Sequence, residues 1–237
     1  MKRSDRVHRP SRGLAIVVFA VAGVAWFAQE LAPAATGFSD TDDPAVMLRF
    51  IREHPEAYRW GGLALFVMAA SLVVAAFAVA DHLATAASSL AVRTTTAFGL
   101  LAAAFFFGQG VLRLSGGPLL HIDGLNRDWG EAAYLATQMA GVHGFAQGAL
   151  LGLSLWATAV SVTGIRSHTL PTLVGIVGIF PVLRLTGSLL GPLELLPEDL
   201  WIVFMASIVG TLIWCLVLGI VLLRIPSSLP VAVPMRA

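Results

Sequence analysis

Ionisable and amide side chains inside apolar stretches are the residues of this chain that could do chemistry. Arg184 lies within one apolar stretch, three residues after Pro181, and His143 lies within another. Arg113 follows Gln109 after one helical turn, so both are predicted to lie on the same face of a helix. A charged group in a membrane-spanning helix is costly and usually faces a protein interior or a polar cavity.

Counted from the outer ends of the predicted spans, these polar positions fall in the outer half of the membrane. The full set is Glu30, Gln109, Arg113, Gln138, His143 and Arg184. His143 and Gln147, four residues apart, are predicted to share a helix face. One interpretation is an outward-facing polar cavity in which the arginines attract an anionic group, the histidine binds or senses it, and the glutamines donate hydrogen bonds.

The second interpretation of the same residues is structural. Glu30 would form an ion pair with Arg113 or Arg184, and the glutamines would bind helix backbones. Such contacts fix the register of packed helices without any reaction. The sequence leaves both interpretations open.

The composition indicates a membrane protein. Of the 237 residues, 57% are hydrophobic and 12% are charged, about half the charged fraction of a soluble domain. A water-soluble fold could not cover this much apolar surface without aggregating. The single cysteine, Cys215, excludes an intramolecular disulfide and a cysteine metal motif. Phosphate-loop, dinucleotide and zinc-protease motifs are missing, as are nucleic-acid signatures, so no cofactor, metal or nucleic acid is expected.

Six apolar stretches are long enough, or nearly so, to cross a bilayer. They cover about 13–32, 60–82, 93–114, 133–162, 170–190 and 200–224. The fifth is the weakest, because it contains Pro181 and Arg184. We therefore predict an all-α bundle of six transmembrane helices over residues 13–224, in the inner (plasma) membrane of a bacterial cell.

Charged residues between the spans predict the orientation. The tails 1–12 and 225–237 and two loops carry arginines, whereas the opposite loops are acidic. The basic side of a membrane protein faces the cytoplasm, so both termini are predicted to be cytoplasmic. An alternative starts from Ala32-Pro33-Ala34, which resembles a signal-peptide cleavage site and would leave five spans.

The regions outside the spans also carry helical and aromatic signals. Asp43 and Pro44, followed by apolar residues at helical spacing, predict a short helix over about 44–54 on the outer membrane surface. Tryptophans and tyrosines, Trp26 and Tyr134 among them, are predicted to lie near the outer membrane boundary. Asp81-His82 ends the second span, either as a proton-handling pair or, more simply, as a solvated helix end.

Glycines at spacings of four predict close helix packing. Gly144, Gly148 and Gly152 line one face of the fourth span, and such faces let another helix backbone approach. We expect contacts within the chain, although the same faces could bind a second copy or a membrane partner.

With these elements placed, the chain resembles a family of six-span bacterial membrane proteins of similar length, classified as a domain of unknown function. The resemblance rests on this layout, on His143-Gly144, and on the sequence Ser-His-Thr-Leu-Pro-Thr-Leu-Val-Gly at 167–175. The family tends to show serine, Leu-Pro and glycine there, often with a basic residue where this chain has Thr172. The resemblance implies a six-span fold and no particular activity.

The sequence thus favours a membrane protein that binds or transports a small polar or anionic molecule. The alternative is a non-catalytic accessory protein that packs against a partner. An intramembrane enzyme is the least supported class, because no nucleophile is predicted within reach of a base. Membrane lipids are the expected surroundings.

Overall fold

The computed structural model describes residues 11–35, 44–119, 127–190 and 200–224, and in this part of the chain it contains helices and no strand. The all-α prediction is confirmed. The helices are α1 (Ser11–Ala35), α2 (Pro44–Glu53), α3 (Pro55–Leu83), α4 (Ser89–Leu119), α5 (Arg127–Met139), α6 (Gln147–Arg166), α7 (Thr172–Val177), α8 (Ile179–Leu190) and α9 (Trp201–Arg224), and a π-helical segment (Ala140–Ala146) joins α5 to α6.

Five helical stretches are long and apolar enough to cross a membrane: 55–83, 89–115, 144–166, 172–190 and 202–224. In α1 the apolar part is shorter, Gly13–Ala28. The chain is therefore a membrane protein, while six spans and cytoplasmic termini stay predictions. The tails predicted at 1–12 and 225–237 lie, except for residues 11 and 12, outside the described residues.

Six long helices form a closed ring. Around it, α1 packs on α3, α3 on α4, α4 on α6, α6 on α8, α8 on α9, and α9 again on α1. Apolar side chains fill the ring, and the large ones include Phe19, Leu65, Trp156 and Trp214. Closing the ring buries one face of every helix, while the opposite faces keep exposed valine, leucine and isoleucine side chains suited to lipid.

The glycine face of α6 packs inside this ring. A Cβ at Gly152 would lie 3.0 Å from the backbone nitrogen of Ala102 in α4, so the two helices approach as closely as backbones can. At Gly148 a Cβ would meet the ring of Phe105, whereas at Gly144 it would meet nothing within 4 Å. The close contacts expected from the spacing are thus made within the chain by the last two glycines.

The short helix predicted at 44–54 is present as α2, and it packs on protein. Leu48, Phe50 and Ile51 of α2 are buried together with Tyr134 of α5. Tyr134 is fully buried, because α2 covers it, and its location at the depth of the membrane boundary stays a prediction. Trp60 keeps an exposed side chain, as that boundary would require.

The 167–175 sequence forms the tight turn between α6 and α7, at 167–171, and the first four residues of α7. The backbone N–H groups of Thr169 and Leu170 donate to the Gly164 carbonyl, at 3.0 and 3.2 Å, and Leu170 is buried in the core. His82, at the end of α3, lies 3.0 Å through Nε2 from the Thr169 carbonyl. The end of α3 is therefore held against this turn by His82, which the solvated-end interpretation did not foresee.

His168 sits in this turn with a φ angle of 55°, the left-handed region that disfavours side chains with a Cβ. We expect His168→Gly to raise the free energy of unfolding by about 0.5 kcal/mol, since glycine relieves the backbone strain but also makes the unfolded chain more flexible. Urea unfolding in detergent would measure it. His168→Ala keeps the Cβ and should bring no gain; an equal gain in both variants would assign the effect to the imidazole.

Candidate functional site

Arg184 is placed by a break between two helices of the ring. Because proline has no backbone N–H, Pro181 leaves the carbonyl of Val177 without its helical partner, and α7 gives way to α8 at Gly178. A Cβ at Gly178 would lie 2.8 Å from the hydroxyl oxygen of Ser161 in α6. A glycine at the break therefore lets the broken helix pack closely against α6.

The Arg184 side chain is buried without a partner in the described structure. Only 7% of the residue is exposed, and its Nε has no hydrogen-bond acceptor. The ion pairs found among the described residues are Glu56–Arg59 and Glu30–Arg113, and neither includes Arg184. A buried cation without a counter-charge is costly, so a bound anion beside Arg184 would stabilise the structure.

A small cavity lies on the ring axis, and Arg184 is one of the residues around it. It offers about 10 Å³ of free space, about what the centre of one water molecule requires. Every helix of the ring contributes to its wall. The contributors include Trp26 of α1, Met68 of α3, Phe106 of α4, Ser154 of α6, Arg184 of α8 and Thr211 of α9.

The residues around this cavity include two side chains with unpaired hydrogen-bond donors, Arg184 and Trp26. Trp26 is 6% exposed, and its indole Nε1–H has no acceptor among the described residues. Ser154 donates its hydroxyl proton to the Leu150 carbonyl at 2.7 Å, and Thr211 donates its own to the Ser207 carbonyl at 2.7 Å. With both hydroxyl protons committed, the guanidinium of Arg184 and the indole N–H of Trp26 are the donors left among these residues, although the surface of the cavity itself is formed by apolar atoms.

Glu30 and Arg113 form an ion pair that joins α1 to α4. Arg113 is 4% exposed, whereas about a third of the Glu30 side chain, 34%, is accessible. Of the two pairings considered for Glu30, the one with Arg113 is made. Gln109, one turn from Arg113, is 1% exposed, and its Oε1 has no hydrogen-bond donor among the described residues.

The remaining predicted residues lie on the long helix that runs from α5 into α6. Gln147 begins α6 with an exposed side chain and is absent from the cavity wall. The side chains of Gln138 and His143 lie outside the described part of the structure. His143 belongs to the π-helical segment, and the helix face that it was predicted to share with Gln147 stays a prediction.

Trp26 is the residue of this cavity that sequence reasoning missed. It was predicted only as an aromatic residue near the membrane boundary, and the structure buries it beside the cavity. The spacing could have predicted its location, because Trp26 and Glu30 are four residues apart and share a helix face. If Glu30 points into the bundle, so does Trp26.

A larger groove lies on the outside of the ring, between α1 and α3. It has a volume of about 480 Å³, and its wall includes Val18, Val21, Leu63 and Val67. No ionisable side chain lines it, so its chemistry suits the hydrocarbon around the protein. Among the described residues no cluster of histidine, cysteine and carboxylate side chains could hold a metal ion.

Comparison with protein families places the fold and the site in one domain. The model of a domain of unknown function (DUF4386) matches residues 13–225, from the start of the apolar part of α1 to just beyond the end of α9. The chain belongs to this family. The resemblance noted from the sequence is thereby confirmed, and the DUF4386 match includes every helix of the ring. Comparisons with curated proteins and with solved structures gave no match.

Proposed function

We propose that this DUF4386 protein binds a small inorganic anion at Arg184, on the axis of its membrane-embedded helix ring, and that it serves to transport or sense that anion. The observation that carries the proposal is the buried guanidinium of Arg184, a residue beside the cavity, which has no counter-charge among the described residues. The proposed location is the cell membrane of a bacterium, with the acidic loops outside.

The charge balance supports an anion rather than a water molecule as the occupant. A water molecule would accept hydrogen bonds from Arg184 and Trp26, but it would leave the positive charge uncompensated in a low-dielectric interior. The effective penalty for an unpaired buried ion is several kcal/mol. An anion removes that penalty and satisfies both donors at once.

The size of the cavity supports a small occupant. Free space of about 10 Å³ accommodates a species of about the size of one water molecule, and a halide ion, which is somewhat larger, fits after small shifts of the side chains around it. An organic anion would have to push the six helices apart. The aromatic and aliphatic walls formed by Phe106, Met68 and Leu212 would strengthen the attraction by keeping bulk water away.

Bromide is the probe for testing this function, because its anomalous X-ray scattering locates it directly. We expect crystals grown in sodium bromide to show one bromide within hydrogen-bond distance of the Arg184 guanidinium and of Trp26 Nε1. In detergent solution, bromide at about 100 times its dissociation constant should raise the free energy of unfolding by about 2.7 kcal/mol, relative to sodium gluconate at the same ionic strength.

Gluconate is the control in that experiment, because it supplies the same charge in a molecule that is too large for the cavity. A cavity without bromide density, together with equal stability in the two salts, would contradict the proposal. The accessory-protein alternative expects this second result, since it assigns no ligand to the cavity.

A further inference from the structure

The Glu30–Arg113 ion pair lies directly beyond one end of the cavity. We call this end of the ring, which holds the C-terminal ends of α1 and α4, the outer end. On α1, Glu30 follows Trp26 by four residues, and on α4, Arg113 follows Phe106 by seven. Trp26 and Phe106 both belong to the cavity wall. At about 5.4 Å per helical turn, the ion pair stands one to two turns from the cavity towards the outer end.

The ion pair also crosses the interior of the ring. In the order around the ring, α3 stands between α1 and α4, so a link between the latter two passes over the axis side of α3. Phe19 of α1 and Phe106 of α4 already touch across this interior, with ring centroids 5.9 Å apart. Arg113 is 4% exposed, as expected for a side chain that points inward.

The chemistry of the pair matches that of the cavity below it. Arg113 is a second buried guanidinium, and one of the groups that it binds is a carboxylate, which is itself an anion. Glu30 keeps about a third of its side chain accessible, 34%, so its carboxylate has room to turn away from Arg113 when an entering anion replaces its charge. An anion that arrives from the outer end can bind Arg113 only after Glu30 has left.

Gln109 supplies the next polar position on this route. It lies one turn below Arg113 on the same face of α4, and it is almost completely buried. Its side-chain amide carries two N–H donors as well as the unpaired Oε1. Rotation of this amide can therefore present a donor between Arg113 and the cavity.

We propose that Glu30 is a tethered carboxylate gate: it holds Arg113 while the cavity is closed, and an entering anion displaces it on the way to Arg184. This inference rests on the proposed function and adds the regulation of access to the same site. The gate is local, because a change of the Glu30 rotamer is enough to break its ion pair with Arg113.

Glu30→Gln tests the gate by removing the competing charge. We measure the exchange of bromide by stopped-flow quenching of tryptophan fluorescence, with Trp26→Phe identifying the phase that reports the cavity. Bromide exchange in Glu30→Gln should be about tenfold faster than in the wild type, which corresponds to a barrier lower by about 1.4 kcal/mol. Glu30→Asp keeps the charge on a shorter side chain and should give an intermediate rate.

Glu56→Gln is the matched control. It removes a carboxylate from the exposed Glu56–Arg59 ion pair and changes the net charge by the same amount. Its bromide exchange should stay within about twofold of the wild type, because exposed charges act weakly. Equal exchange rates in Glu30→Gln, Glu30→Asp and the wild type would overturn the gate while leaving the Arg184 site in place. If the wild type binds no bromide, the proposed function fails and the gate fails with it.

Discussion

Arg184→Met should raise the free energy of unfolding by about 2 kcal/mol when measured in gluconate, without a halide. Replacing buried charged groups by apolar residues of similar volume often stabilises a protein by about 1–4 kcal/mol, and Arg184 has no counter-charge among the described residues to lose. Reversible unfolding in detergent measures the change. The same variant should lose the stabilisation by bromide, because the cation that binds it is gone.

Arg184→Lys is the matched control for the charge. It keeps a cation at the end of a side chain of similar length and should retain part of the bromide effect. If Arg184 served only to hold the helices together, Arg184→Met would be less stable than the wild type in gluconate. That result, with an unchanged bromide effect, would remove Arg184 from the proposed site.

Gly152→Leu should lower the free energy of unfolding by about 3 kcal/mol. Extra atoms in a tightly packed core cost about 1–3 kcal/mol, and here they meet the backbone of α4 at Ala102, which cannot rotate out of the way. Thermal or urea unfolding in detergent measures the loss. The ring should open at the α4–α6 contact first.

The same substitution at Gly144 provides the control for that result. A Cβ there meets nothing within 4 Å, and the residue is exposed, so Gly144→Leu should change the stability by less than about 1 kcal/mol. Similar losses at the two positions would mean that the glycines matter for helix propensity or flexibility, and the close α4–α6 packing would then not explain Gly152.

The helices of the ring were predictable from the sequence because hydrophobic length is a local property. The stretches 60–82 and 93–114 appear within the longer helices α3 and α4. The stretch 170–190 was the weakest predicted span because it contains Pro181, and it is the one that the structure divides into two helices, α7 and α8. The covering of Tyr134 by α2 was not predictable, because it depends on a contact between segments more than 80 residues apart.

The candidate site was predicted in part. Gln109, Arg113 and Arg184 are buried, as the cost of polar groups in lipid requires. The sequence could not decide which arginine Glu30 would pair with, because that depends on the order of helices around the ring. Nor could the sequence predict that Arg184 has no counter-charge among the described residues. That depends on which side chains the other five helices of the ring place near it.

The π-helical segment at 140–146 also bears on how this domain can change length in evolution. A π-helix holds one more residue in a turn than an α-helix does, so a chain shorter by one residue here can close as a regular helix. Tyr134 on one side and Gly152 on the other would then keep their packing faces. The same deletion inside α6 would turn Gly152 away from Ala102 by about 100°. Among the positions of this long helix, the segment around His143 is therefore where relatives can differ in length by one residue without losing the ring.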